Sequence, residues 1–158
     1  MHSEPTAHHE WLHRLVGNWT SRTEASTTPG MEFPESHGTE TVRSIGGLWV
    51  VGEGRGPMGG DDATTIVTLG YDTGSNRFVG TWIGSMMTHL WVYDGVLDED
   101  RQGLTLHALG PDMEGKGNTT RFTDRIEFRS DDHRVLLAHV EDGKGGWNPL
   151  MTVHYHRA

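Results

Sequence analysis

The chain has 158 residues, which suits one domain of ordinary size, and its formal net charge is −9. This acidic balance excludes the basic surface that nucleic-acid binding requires, and it disfavours an anionic membrane surface. The absence of cysteine excludes disulfides, thiolate nucleophiles and iron–sulfur clusters. With no apolar run of about 18–20 residues and no signal-peptide pattern, we expect a cytoplasmic protein that binds no membrane.

The first predicted element is a helix over residues 6–16, TAHHEWLHRLV. Thr6 is a suitable N-cap, and Gly17 ends the pattern. The apolar residues of one helical face follow the expected spacing: Trp11, Leu12 and Leu15. Four histidines of the tail and helix are expected at the surface: His2, His8, His9 and His13. A helix this short is marginal alone and must dock on another element.

After the helix, the pattern changes to short strands separated by glycine-rich turns, and the chain has 22 glycines. Ten strands are predicted: 19–26, 39–45, 48–54, 64–71, 77–84, 88–93, 104–109, 118–129, 134–141 and 150–157. Since no helical pattern lies between them, a parallel βαβ sheet is excluded. We expect an all-β fold in one domain, 1–158: a closed antiparallel up-and-down barrel of about ten strands with one short N-terminal helix. A barrel of this size commonly keeps a cavity.

Several segments carry a family resemblance. HRLVGNW places Gly17 and Trp19 at the start of the first strand, as in lipocalin-type and fatty-acid-binding-type barrels. With the other segments, the chain resembles the domain of unknown function 1579 family, bacterial proteins of about this size. The further segments are RSIGGLWVVGEG (43–54), LGYDTGSNRFVGTWIGSMMTHLWVYDG (69–95) and MTVHYHRA (151–158).

This resemblance covers nearly the whole chain and implies a lipocalin-like barrel. Its most specific piece is Gly-Tyr-Asp at 70–72 followed by the Trp-Ile-x-Ser-Met of 82–86. Gly84 stands where an acid is expected before Ser85. The resemblance implies no catalytic residues.

The stretch GTWIGSMMTHLWVYDG, residues 80–95, is the strongest candidate for a ligand site. Side chains alternate along a strand, so His89, Trp91 and Tyr93 share one face. If that face is interior, it forms an aromatic wall with polar tips that suits a planar or amphipathic molecule. The alternative is that these rings fill the core, because a one-residue slip reverses the face. The candidate ligand-binding residues are Trp82, Met86, Met87, His89, Trp91 and Tyr93, with Arg43 and His139 as further polar anchors.

The histidines suggest a second kind of site. His154 and His156 share one face of the last strand, a geometry that binds zinc when a third ligand faces it. His89, His107 and His139 are candidates for that third ligand. The alternative is two solvated imidazoles, and we expect no cofactor. A haem variant follows from comparison with nitrobindin-type barrels, which hold haem through one late histidine, here His154 or His156.

Acid–base and phosphate sites find less support in the sequence. Five carboxylates lie in or beside strands: Glu53, Asp72, Asp94, Glu127 and Glu141. Asp72 and Asp94 are interpreted as turn residues, and Ser85 lacks a Gly-x-Ser-x-Gly frame. The glycine runs RGPMGG and GKGG lack the Lys-Ser/Thr ending of a phosphate loop and are interpreted as hairpin loops.

Together these features favour non-covalent binding of a small hydrophobic or aromatic molecule inside the barrel. The first alternative is a small barrel enzyme, an isomerase, cyclase or hydrolase, that uses a histidine or carboxylate in the cavity. A barrel filled solid with side chains is the second, and a haem or metal protein is the third. Assembly as a homodimer is left open.

Overall fold

The computed structural model describes residues 1–58 and 61–158, which contain one helix and ten strands. The helix α1 spans Ala7–His13. The strands are β1 Gly17–Thr23, β2 Ser36–Ile45, β3 Trp49–Met58, β4 Asp61–Asp72, β5 Arg77–Gly84, β6 Trp91–Leu97, β7 Gly103–Pro111, β8 Thr119–Ser130, β9 His133–Glu141 and β10 Trp147–Arg157.

Each strand pairs antiparallel with the strand before and after it, and β1 pairs with β10, so the sheet closes into a barrel. At this closure Trp19 lies opposite Arg157, and Thr23 lies opposite Val153. The prediction of an all-β, closed, up-and-down barrel with one short helix is confirmed.

Helix α1 begins with the predicted cap. The hydroxyl of Thr6 accepts a hydrogen bond from the His8 backbone N–H, and the Thr6 N–H donates to His9 Nδ1 at 2.9 Å. His9 Nε2 lies 3.0 Å from the Tyr71 carbonyl oxygen. The expectation that His9 is a surface residue was therefore wrong, because capping and this tertiary contact bury it to 3% exposure.

One end of the barrel is closed by the apolar face of α1 and the turn after it. Trp11 packs edge-on against Phe128, with ring centroids 5.5 Å apart, and its indole N–H donates to the Arg101 carbonyl oxygen at 2.6 Å. The buried side chains at this end are Trp11, Leu12, Leu15, Trp19, Val42, Val50, Leu69, Phe78, Leu104, Leu106, Ile126 and Phe128. We call this end the packed half. Among the described residues, no helix has the length and apolar character needed to cross a membrane.

Strand boundaries differ from the predictions mainly at the opposite end. Strand β5 matches its predicted bounds, whereas β6 begins three residues later than predicted and runs on to Leu97. The predicted loop at 55–62 is shorter, since β3 continues to Met58 and β4 starts at Asp61. Residues 59–60 of that loop lie outside the described residues.

Candidate functional site

The inner face of the barrel divides into two halves of different accessibility. In the packed half the inward side chains are buried, whereas many inward side chains towards the other end are only half-buried. We call that end, opposite α1, the open half. Its half-buried inward residues include Ser21, Thr23, Glu40, Thr65, Val67, Trp82, Trp91, Asp124, Leu136, Met151 and Tyr155. These side chains point away from the outer surface and still contact solvent, so solvent reaches the inner face of the barrel from this end. We call the space that they surround the hollow.

Strand β3 contributes to this hollow by having almost no side chains there. Its inward positions beyond Val50 are Gly52, Gly54 and Gly56. A Cβ at Gly54 would lie 2.5 Å from the Thr65 hydroxyl oxygen on β4, so the neighbouring strand uses part of the freed space. Glycine at these positions keeps one wall of the hollow flat.

Aromatic rings line the upper part of the hollow. Trp82 on β5 lies opposite Trp91 on β6, and Trp91 meets Phe122 on β8 edge-to-face, with ring centroids 4.8 Å apart. The indole N–H of Trp91 faces Met87 Sδ at 3.1 Å. Trp91 rests against Gly110, where a Cβ would come within 2.2 Å of its ring. We call Trp82, Trp91 and Phe122 the aromatic tier.

Beneath this tier lies a carboxylate. Tyr93 and Asp124 are each two residues further into the barrel than Trp91 and Phe122, about 6–7 Å along their strands. The Tyr93 hydroxyl donates a 2.5 Å hydrogen bond to Asp124 Oδ2. Burial raises the pKa of the Asp124 carboxyl, while the Tyr93 hydrogen bond and the charge of His139 act in the opposite direction. Burial and the charge of Asp124 also raise the pKa of Tyr93. We call this pair the polar floor.

A second pair of polar groups points into the barrel, next to Trp19 and Phe128 of the packed half. Arg134 of β9 forms an ion pair with Glu40 of β2, and their side chains are 5% and 12% exposed. The guanidinium lies over the rings of Tyr155 and Trp19, at 3.9 and 4.6 Å from their centroids. Burial, and then the charge of Glu40, raise the pKa of Tyr155. The single inward cation of the open half is thereby matched by Glu40 among the described residues.

The structure brings together part of the predicted set. Trp82, Trp91 and Tyr93 face inward, and Tyr93 is buried to 6% exposure. His89 precedes β6, with its ring at the edge of Trp91 and its Nε2 3.0 Å from the Leu109 carbonyl oxygen. Met86 and Met87 are exposed in the connection after β5, at the mouth of the open half. A depression of about 390 Å³ lies at this rim, and both apolar and acidic residues line it: Met58, Asp61, Asp62, Ala63, Ser85 and Met86.

Two predicted polar anchors lie elsewhere. Arg43 is exposed on the outer face of β2, next to the inward Val42. His139 lies on the outer face of β9, between the inward Ala138 and Val140. Both residues alternate with the inward residues of their strands, so their side chains point outward and do not enter the hollow.

The histidines of the last strand also face outward. His154 Nε2 lies 2.6 Å from Glu24, and its Nδ1 lies 3.2 Å from His133 Nε2. His133 also stacks on His156, with ring centroids 4.3 Å apart. Within the described ranges, no group of three or more histidines and carboxylates has the geometry to hold a metal ion.

The sequence reasoning missed the charged residues inside the barrel. Asp124 stands in the inward series of β8 with Phe122, Ile126 and Phe128, all at two-residue spacing. Arg134 stands in the same way at the start of the inward series of β9. The sequence did carry a signal for both residues: each charged residue stands at an inward position of a strand whose other inward residues are mostly apolar. The pairing of Arg134 with Glu40 has no local signal.

Comparison with known proteins identifies the family. The family model described as "Protein of unknown function (DUF1579)" matches residues 4–157. The chain belongs to this family. No match for this DUF1579 chain was found among curated proteins.

Two solved structures resemble the barrel. The S-type phycobiliprotein lyase CPES from Guillardia theta has a TM-score of 0.64 and 13% identity, covering 97% of this chain and 93% of that one. A redesigned beta barrel has a TM-score of 0.47 and 9% identity, covering 92% of each chain. The likeness to the lyase shows that this DUF1579 protein shares its barrel fold.

Proposed function

We propose that this protein binds a small hydrophobic or aromatic molecule non-covalently in the open half of the barrel. The observation that supports the proposal is the contrast between the two halves: inward side chains are buried next to α1 and solvent-accessible towards the mouth. Apolar clefts with a few convergent polar groups are the usual form of small-molecule sites. The likeness to the phycobiliprotein lyase is one of fold, so the proposal depends on the inner side chains.

The aromatic tier gives the site its preference for flat apolar molecules. Trp82 and Trp91 are both half-buried, so each retains ring surface that a guest would cover. Burying such surface contributes about 25 cal/mol per Å², and aromatic stacking adds about 0.5–1.5 kcal/mol per pair. The exposed thioethers of Met86 and Met87 at the mouth adapt to guests of different shape.

Binding is tested by titrating the protein with neutral aromatic probes, such as Nile red and 2-ethylnaphthalene, while following tryptophan emission. We expect saturable quenching and a raised melting temperature. Thr65 and Thr64 provide a matched pair of variants, because Thr65 points into the hollow and Thr64 points outward. Thr65→Trp should fill the hollow and abolish binding, while Thr64→Trp should leave it intact. Equal binding by both variants, or no saturable change with any probe, contradicts the proposal.

A second candidate function is an acid–base enzyme that acts on the bound molecule. One observation favours it: burial raises the pKa of Asp124, and raised carboxyl pKa values are common among catalytic acids and bases. Hydrolysis of 2-naphthyl acetate offers a direct test through release of the naphthol. This candidate requires a rate that falls at least about 100-fold in Asp124→Asn with probe binding retained. An unchanged rate in that variant rules it out.

A further inference from the structure

Among the described residues, the carboxylate of the polar floor has no hydrogen-bonded or ion-paired cation. Oδ2 of Asp124 accepts the Tyr93 hydrogen bond, and no described residue donates to Oδ1. The one buried side-chain polar atom left without a partner in the described ranges is Arg134 Nε. Oδ1 is therefore not sealed in the protein interior. It is accessible from the hollow, where a bound molecule can reach it.

In the described part of the chain, the charged side chains that point into the hollow carry one negative charge in excess. Glu40 and Arg134 offset each other, and the Arg134 guanidinium is held between the Trp19 and Tyr155 rings. Among the described residues, no lysine or histidine occupies an inward position of the open half. Asp124 then remains as a carboxylate with no positive charge beside it on the inner face, while the charge of His139 acts on it from the outer face of β9. A guest that carries a positive charge or a strong N–H donor would supply the missing partner.

The aromatic tier favours the same kind of guest. The faces of tryptophan and tyrosine rings attract cations, and substituted ammonium groups are typically recognised by several such rings together. Trp82, Trp91 and Tyr93 lie above or beside Asp124 in the order that an aromatic amine entering from the mouth would meet them. The chain as a whole carries a net charge of −9, which attracts cations and repels anions.

We infer that the ligand of the open half is an aromatic molecule bearing a cationic nitrogen, with its ring system in the aromatic tier and its nitrogen on Asp124 Oδ1. The inference rests on the proposed function, since it names the class of molecule that the same site binds. Tyr93 fixes the orientation of the carboxylate through Oδ2 and leaves Oδ1 free for the ligand.

Three matched probes test this inference: 2-(2-naphthyl)ethylamine, 2-(2-naphthyl)ethanol and 2-naphthylacetic acid, titrated by calorimetry at pH 7. The amine should bind about tenfold or more tightly than the alcohol, and the acid more weakly than either. In Asp124→Asn the preference for the amine over the alcohol should disappear, because the charge that distinguishes the two probes is gone. Asp94→Asn, which removes an exposed outer-face carboxylate paired with Arg77, should keep the preference.

Proton release gives an independent measure of the contact between the amine and Asp124. Binding of the amine should lower the proton affinity of Asp124, so titrations near pH 5 in buffers of different ionisation enthalpy should show proton release by the wild type and none by Asp124→Asn. An alcohol or acid that binds as well as the amine overturns the inference and leaves the proposed function standing. If none of the three probes binds, the proposed function fails as well.

Discussion

Arg134 and Glu40 are 94 residues apart in sequence and form an ion pair inside the barrel. They lie on β9 and β2, which are separated in the sheet by β10 and β1. Their side chains are 5% and 12% exposed, so water solvates both charges poorly. Each charge therefore needs the other as its counterion. The pair therefore connects four strands around the closure of the barrel through one interaction.

Removing one partner should destabilise the fold strongly. Glu40→Gln leaves the Arg134 charge buried without its counterion, and we expect a loss of about 3–5 kcal/mol in the free energy of unfolding, measured by urea denaturation. The double variant Glu40→Leu/Arg134→Met should be more stable than either single change. As a control, Asp94→Asn breaks the exposed pair with Arg77 and should cost about 1 kcal/mol or less. A cost for Glu40→Gln no larger than this would contradict the structural role of the pair.

Asp124 should give stability an unusual pH dependence. Burial raises its pKa above the ordinary value of 3.8, so the folded state holds the proton more firmly than the unfolded state. Its contribution to stability is then fully present below the ordinary pKa and is lost as the pH rises through the raised pKa. Asparagine cannot ionise. The free energy of unfolding of the wild type minus that of Asp124→Asn should fall as the pH rises above about 4. A difference that is flat or rises over this range would contradict burial of the carboxylate.

The histidines on the outer face should act in the opposite sense. Burial, followed by the charges of His156 and His154, lowers the pKa of His133 below its ordinary value of 6.5. Because the unfolded state takes up the proton more readily, stability should fall as the pH drops below about 6.5. The melting temperature of His133→Gln should change less than that of the wild type between pH 7.5 and 5.5. His107→Gln, at an exposed outer position of β7, should retain the wild-type dependence. Identical pH profiles for the wild type and His133→Gln would refute the prediction.

Gly110 sets the position of Trp91. A Cβ at residue 110 would come within 2.2 Å of the indole ring, so Gly110→Ala must displace Trp91 from its contact with Phe122. We expect a cost of about 1–3 kcal/mol, a shift in tryptophan emission and weaker binding of neutral aromatic probes. Gly74→Ala is the matched control, because a Cβ there makes an ordinary 3.4 Å contact with Asp72. If both variants bind the probes like the wild type, Trp91 has no role in the site.

The barrel could be predicted from sequence because its evidence is local. Alternating strands, glycine turns and the absence of a second helix identified ten antiparallel strands, and the bounds of β5 were right to the residue. The start of β6 was placed too early, because Thr88 and Leu90 suit a strand by composition although the chain there forms the connection after β5. Local propensity does not decide where strand pairing starts.

The polar groups of the site could be predicted only in part. Tyr93 was grouped with Trp91 because both lie on one face of a conspicuous aromatic segment, and the structure places both side chains on the inner face. Its partner Asp124 lies 31 residues further along the chain, and the bond between them depends on how the barrel curves. Arg43 and His139 were proposed as anchors from residue type, but parity places both outside. Which of two alternating faces turns inward follows from long-range closure, which single strands do not encode.

The antiparallel seam between Trp19 of β1 and Arg157 of β10 constrains how the chain folds during synthesis. Strands emerge from the ribosome in numerical order, and β10 is the last of the ten to appear. Until then β1 and β9 each expose an unpaired edge that can recruit other strands. We therefore expect substitutions in β10 to impair soluble yield more than their equilibrium stability suggests, because they delay the closure that covers both edges.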